Sequence, residues 1–158
     1  MQQIDIIKAP VADHVEDFHS QFNEILATKS EWLQDAIDRL NASTGKKVRP
    51  ILVALMAGMI AGGDPPKSSI EAAVLLELIH TATLIHDDVI DEASTRRGQP
   101  TLNVLYDNRV AVLMGDFVLS SALIGAISLG DLEVIQIISG IGRELTEGEI
   151  RQFESADS

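Results

Sequence analysis

The segment His86-Asp87-Asp88-Val89-Ile90-Asp91, followed by Arg96-Arg97, gathers residues able to do ionic chemistry. Three carboxylates occupy i, i+1 and i+4. At ~100° per helical residue, Asp87 and Asp91 project from one face a turn apart, with Asp88 beside them. Ser94-Thr95 and Gly98-Gln99-Pro100 follow, so a helix is expected to end just past Asp91. Carboxylates in a last turn face the negative end of the helix dipole and repel one another. Stability alone would place Lys or Arg there. A bound Mg²⁺ reverses both penalties, because hard divalent cations take oxygen ligands and Mg²⁺ often shares one or two carboxylates with substrate phosphates. Arg96 and Arg97 then suit a diphosphate, since a guanidinium fork matches phosphate oxygens. The competing reading is a solvated acidic helix end beside a basic loop.

Other residues stand at useful distances. His80 is seven residues before Asp87 and shares its face two turns below, as a ligand or as a satisfied core histidine. Gly45-Lys46-Lys47-Val48-Arg49-Pro50 puts cations where a helix should begin. Helix N-termini favour anions, so Lys46 and Arg49 are candidates to bind one, against the alternative that both are merely solvated. Asp116 interrupts an apolar helix, where a buried carboxylate needs a partner, and a structural role is expected.

The elements that position these residues read as helices. Val11, Val15, Phe18, Phe22, Ile25, Leu26, Leu33, Ile37 and Leu40 recur at three-four spacing, with Ser30 able to cap a second segment. Such a face either packs within its own domain or forms a dimer seam. A helix is expected over residues 46–60, with Pro50 in its first turn. Another should run from a Ser68 cap, with Glu71 as capping-box partner, to about Glu92. Its body, Ala72 to Ile85, is apolar nearly all round, which makes it central. A loop should span 93–100, a short helix 101–106, and long helices 109–129 and 131–153. No strand alternation is present. Residues 1–158 therefore form one all-α unit, an antiparallel helical bundle with short loops.

Composition limits the functions available. Hydrophobic residues make up 46% of the chain, enough to drive folding. A net charge of −12 argues against general affinity for nucleic acid, so an anionic ligand must rely on local cations and metal. With no cysteine, thiolate metal sites and thiol nucleophiles are excluded, and a cytoplasmic location is consistent. The first residues have no secretory n-region or h-region, and the longest apolar run, 51–63, is too short to span a bilayer; no transmembrane segment is expected.

Taken in order, Gly45-Lys46-x-x-Arg49-Pro50, the run from Ile79 to Asp91, Arg96-Arg97-Gly98 and Leu113-Met114-Gly115-Asp116-Phe117 resemble the trans-type isoprenyl diphosphate synthases, most nearly the long-chain, octaprenyl-type ones. The resemblance covers about Gly45 to Gln152. It implies an isoprenoid-synthase-like bundle around a deep apolar cavity, a homodimer, and a prenyltransferase that joins an allylic diphosphate to isopentenyl diphosphate with Mg²⁺. By motif position it implies that Asp87, Asp88 and Asp91 bind Mg²⁺ bridging the allylic diphosphate, which Arg96 touches. Lys46, Arg49, His80 and Arg97 would hold isopentenyl diphosphate. Ala82 lies five residues before Asp87, about 7.5 Å deeper along the helix. The resemblance implies that bulk near this position shortens the product, so Ala82 is expected to leave room for a long chain.

Two departures qualify the resemblance. Thr44 replaces the family's usual second glycine. The family also has a second aspartate-rich motif with a nearby lysine, and Glu147, Glu149 and Gln152 do not make one. The chain is accordingly expected to represent the first half of such a bundle and to be inactive alone in elongation. A non-catalytic subunit that assists a complete synthase is the alternative. A terpene cyclase would leave the Gly-Lys-x-x-Arg-Pro site unexplained. A metal-dependent phosphohydrolase built on His86-Asp87 would need further His and Asp ligands and would leave Arg96-Arg97 without a role.

Overall fold

A computed structural model describes residues 3–43 and 47–156 of the chain. Helix α1 (Gln3–Lys8) passes through a 3₁₀ turn (Ala9–Val11) into α2 (Ala12–Leu26), and α3 (Glu31–Ser43), α4 (Val48–Ala61) and α5 (Lys67–Ile90) follow. A small hairpin, β1 (Thr95–Arg96) and β2 (Gln99–Pro100), leads to α6 (Leu102–Leu105), α7 (Asn108–Leu129) and α8 (Leu132–Ala156). The all-α class is as expected. The hairpin occupies the stretch expected to be loop.

Helices α5 and α7 form the centre. A Cβ added at Gly115 would strike the His86 ring, and one added at Gly125 would strike Leu75. One contact rises along the chain as the other falls, so the two helices run antiparallel. The α5 core positions Ile70, Ala73, Val74, Leu78, Ala82 and Ile85 share a cluster with Ala111, Met114, Val118 and Ala122 of α7. Helix α2 buries Val15, Phe18, Phe22 and Leu26 in the same cluster. Its apolar stripe is therefore satisfied within the chain, which answers the choice between core face and dimer seam for that helix.

The caps show which local signals held. Ser30 caps α3, with the Leu33 N–H donating to its Oγ at 3.3 Å. Asp107 caps α7 by accepting from the Val110 N–H at 2.9 Å. The Ser68–Glu71 capping box does not form. Helix α5 starts earlier, after Pro66, whose fixed φ suits a helix entry. Ser69 instead donates to the Pro66 carbonyl, and Glu71 pairs with Lys67.

Helices α5 and α7 are each long and apolar enough to cross a membrane by length and composition, which qualifies the expectation of no such segment; here they pack on each other. Apolar side chains remain exposed on α4 (Met59, Ile60), α7 (Leu113, Ile124, Ile127) and α8 (Leu132, Ile150, Phe153).

Candidate active site

A cavity of about 600 Å³ lies beside α5. Its wall comes from the end of α3, the first turn of α4, α5 from Glu77 to Asp88, the hairpin and α6. Arg49, His80, Asp88, Arg96 and Arg97, all expected from the sequence, line it. Lys46 lies outside the described residues. Asp87 and Asp91 are not on the wall, and Ala82 is buried in the core cluster, off the cavity surface. Lys47 and Glu77 line the cavity without having been singled out. The available signal for Glu77 was a lone carboxylate in an apolar helix, one turn before His80 on the same face.

Local backbone geometry delivers the two arginines. Helix α5 closes with a Schellman arrangement: the Ala93 N–H donates to the Asp88 carbonyl at 2.9 Å and the Glu92 N–H to that of Val89. Glu92 takes the left-handed conformation usually given to glycine there, with φ 52°. The chain then reverses through Arg97 (φ 52°) and Gly98 (φ 77°) between paired Arg96 and Gln99. Positive φ at both central residues is the two-residue hairpin turn whose twist matches its strands. Gly98 adopts this readily, whereas Arg97 holds it at a cost of about 1–2 kcal/mol. The Thr101 hydroxyl and the Asn103 amide both donate to the Ala93 carbonyl and close the loop.

Arg96 forks onto Asp88. Its Nε donates at 2.9 and 3.2 Å to the two carboxylate oxygens, and Nη2 lies 2.8 Å from Oδ1. Asp88 is nearly buried, and the pair raises the Arg96 pKa further. Asp88 therefore enters the cavity as the arginine's partner, on a different side from Asp87.

The rest of the cavity is basic. Lys47 sits with its ammonium 4.0 Å from the Phe22 ring centre and 5.6 Å from that of Phe18. Burial lowers its pKa. Arg49 is the second residue of α4 and lies 3.9 Å from Glu77. Burial drives the His80 pKa down to about 4, helped by Arg49, Arg97 and Arg96. His80 is thus neutral at pH 7 and can donate or accept a hydrogen bond without adding charge.

The end of α5 has the opposite character. Burial raises the Asp87 pKa, and the charges of Glu149 on α8, Asp91 and Asp88 raise it further against Arg96. Oxygen donors that repel one another fit a hard divalent cation. Among the described residues no group of three or more His, Cys, Asp or Glu converges closely enough to hold a metal alone. Asp116, expected to be buried, is exposed instead; its Oδ1 lies 3.3 Å from His86 Nε2, which also approaches the Val112 carbonyl at 3.2 Å. This clasp ties the aspartate-rich turn to α7, and Gly115 leaves the ring its space.

The polyprenyl synthetase family model matches residues 30–158, most of the chain and all of this site. The chain belongs to the polyprenyl synthetase family. It is 37% identical over 145 residues to a prenyl transferase of Synechocystis, covering 91% of this chain and 45% of that one. It is 41% identical over 109 residues to the octaprenyl diphosphate synthase of Escherichia coli, covering 69% and 33%. Among solved structures, a polyprenyl synthase from Caulobacter crescentus complexed with calcium and isoprenyl diphosphate superposes with a TM-score of 0.86 at 26% identity, over 96% of this chain and 45% of that one. The chain thus spans about half the length or less of these relatives, and its helices follow the family's all-α fold.

Proposed function

We propose that the chain serves in elongating an allylic diphosphate with isopentenyl diphosphate to make a long polyprenyl diphosphate. One observation carries this reading: a basic cavity and a repelling carboxylate cluster are built on adjacent faces of one helix end. Arg49, His80 and Arg97, with Lys46, would hold the diphosphate of the isopentenyl substrate. Asp87 and Asp91, with Asp88, would hold Mg²⁺ against the allylic diphosphate, and Arg96 would touch that diphosphate once its fork turns from Asp88. When bound, Mg²⁺ supplies charge neutralisation for a leaving diphosphate. Neutral His80 adds a hydrogen bond without competing for the metal, and the Arg96–Asp88 pair places guanidinium charge at the boundary between the two sites.

The test is calorimetric titration of the chain with a non-hydrolysable allylic diphosphate analogue. Mg²⁺-dependent binding is expected, weakened about 100-fold or more by Asp87→Ala, on the scale of losing one electrostatic donor at a reacting centre. Unchanged binding in that variant contradicts the assignment.

Further proposals follow from the same reading. The chain alone does not elongate, because the sequence holds one aspartate-rich motif and not a second to meet the leaving diphosphate; incorporation of labelled isopentenyl diphosphate, with and without a full-length relative, measures this. Ala82, small at its depth below Asp87, permits a long product in the complete synthase, and Ala82→Phe should shorten it. A phenylalanine there also overpacks the core by about 1–3 kcal/mol, so shortened products count only from a variant that remains folded. The exposed faces of α7 and α8 support self-association as a dimer, which sedimentation measures. The cytoplasm remains the proposed location.

A further inference from the structure

Glu77 is a carboxylate in the wall of a basic cavity that is read as an anion site. It is 5% exposed, and burial raises its pKa against the opposing charges of Arg49, Lys47 and Arg97. Its Oε2 is buried and accepts no hydrogen bond from the protein, and the Arg49 guanidinium stands 3.9 Å away. A buried charged oxygen without a donor costs free energy. An apolar residue would suit α5 better as a core helix. Lys47 is held by the Phe22 and Phe18 rings, so it is not free to close on Glu77 as a tight pair.

We propose that Glu77 is a positioning residue, whose carboxylate orients Arg49 so that its N–H donors face a diphosphate in the cavity. The inference rests on the reading of the cavity as a diphosphate site. An oriented guanidinium loses less freedom when it binds, and its paired donors gain most from fixed geometry. A bystander carboxylate would act in the opposite direction, since its charge would only repel an entering anion.

The sign of the effect separates the two. The 158-residue chain is titrated with inorganic pyrophosphate at neutral pH in EDTA, so that the cations alone are read. Positioning predicts binding about tenfold weaker in Glu77→Gln. Glu77→Asp, which keeps the charge one methylene back, should recover part of the loss. A bystander predicts tighter binding in Glu77→Gln and wild-type binding in Glu77→Asp, and either result overturns the proposal. Thermal melts should show Glu77→Gln at or above the wild-type midpoint, which separates weakened binding from unfolding; if that variant does not fold, Glu77→Asp decides alone. Absence of pyrophosphate binding by the unsubstituted chain overturns the cavity reading and this inference with it. Wild-type binding with an unweakened Glu77→Gln overturns this inference only.

Discussion

Asp88 receives the Arg96 fork, whereas Asp87, its neighbour in sequence, faces Glu149 and Asp91. One step of about 100° around α5 separates a carboxylate already neutralised from one surrounded by like charge. The cavity side presents protein groups suited to an anion: Arg49, Arg96 and Arg97, a lysine held by aromatic rings and a neutral histidine. The acidic side gathers like charges that a cation would neutralise. In the proposed function, one diphosphate would be met by guanidinium groups and the other by metal, which would keep two mutually repelling anions apart at the end of one helix.

Arg96 joins the two sides, so removing it should have the largest effect on stability. Arg96→Ala strands a nearly buried carboxylate, at a cost of about 1–3 kcal/mol, and should lower the thermal midpoint by about 3–10 °C. An unchanged midpoint would mean that Asp88 is solvated and that the contrast with Asp87 is weaker than drawn. Gly115→Ala comes next. Its methyl meets the His86 ring, so overpacking of about 1–3 kcal/mol outweighs the gain of ~1 kcal/mol from replacing a helical glycine. Differential scanning calorimetry should show a net loss; a stabilised variant would show that the clasp yields freely.

The pH response sharpens the contrast further. His80 has its folded pKa lowered from 6.5 to about 4, so above pH 6.5 both states leave it neutral and its full contribution is present. As pH falls from 6.5 through about 4, the unfolded chain takes up the proton first and that stability is lost. Urea midpoints across this window should fall more steeply for the wild type than for His80→Gln. Asp87 acts with the opposite sign: its raised pKa means that protonation favours the folded state as the pH falls. Accordingly Asp87→Asn should raise the metal-free melting temperature by about 1 °C, given the few tenths of a kcal/mol typical of like-charge pairs. A lowered midpoint would show that Asp87 has a stabilising partner.

Much of this was legible beforehand where local pattern and tertiary role coincide. The i, i+1, i+4 aspartates, the Ser30 cap and the stripe on α2 all state their geometry in their spacing. What was missed depends on neighbours distant in sequence. Asp116 interrupts an apolar helix and suggested burial, yet its face of α7 is uncovered. The Ser68 box lost to an earlier entry at Pro66. The hairpin of Arg96 and Arg97 needed positive φ at an arginine, which no propensity favours. Glu77 passed unnoticed because one carboxylate barely alters an apolar stretch; only the cavity gives it a meaning.

The separation of the two sites is tested most directly by titrating the chain with isopentenyl diphosphate and with a non-hydrolysable allylic diphosphate analogue, each in Mg²⁺ and in EDTA. Protein cations on one side and repelling carboxylates on the other predict that isopentenyl diphosphate binds equally in both buffers while the allylic analogue binds only with Mg²⁺. Equal metal dependence for the two ligands would contradict the division of labour between the cavity and the acidic end of α5.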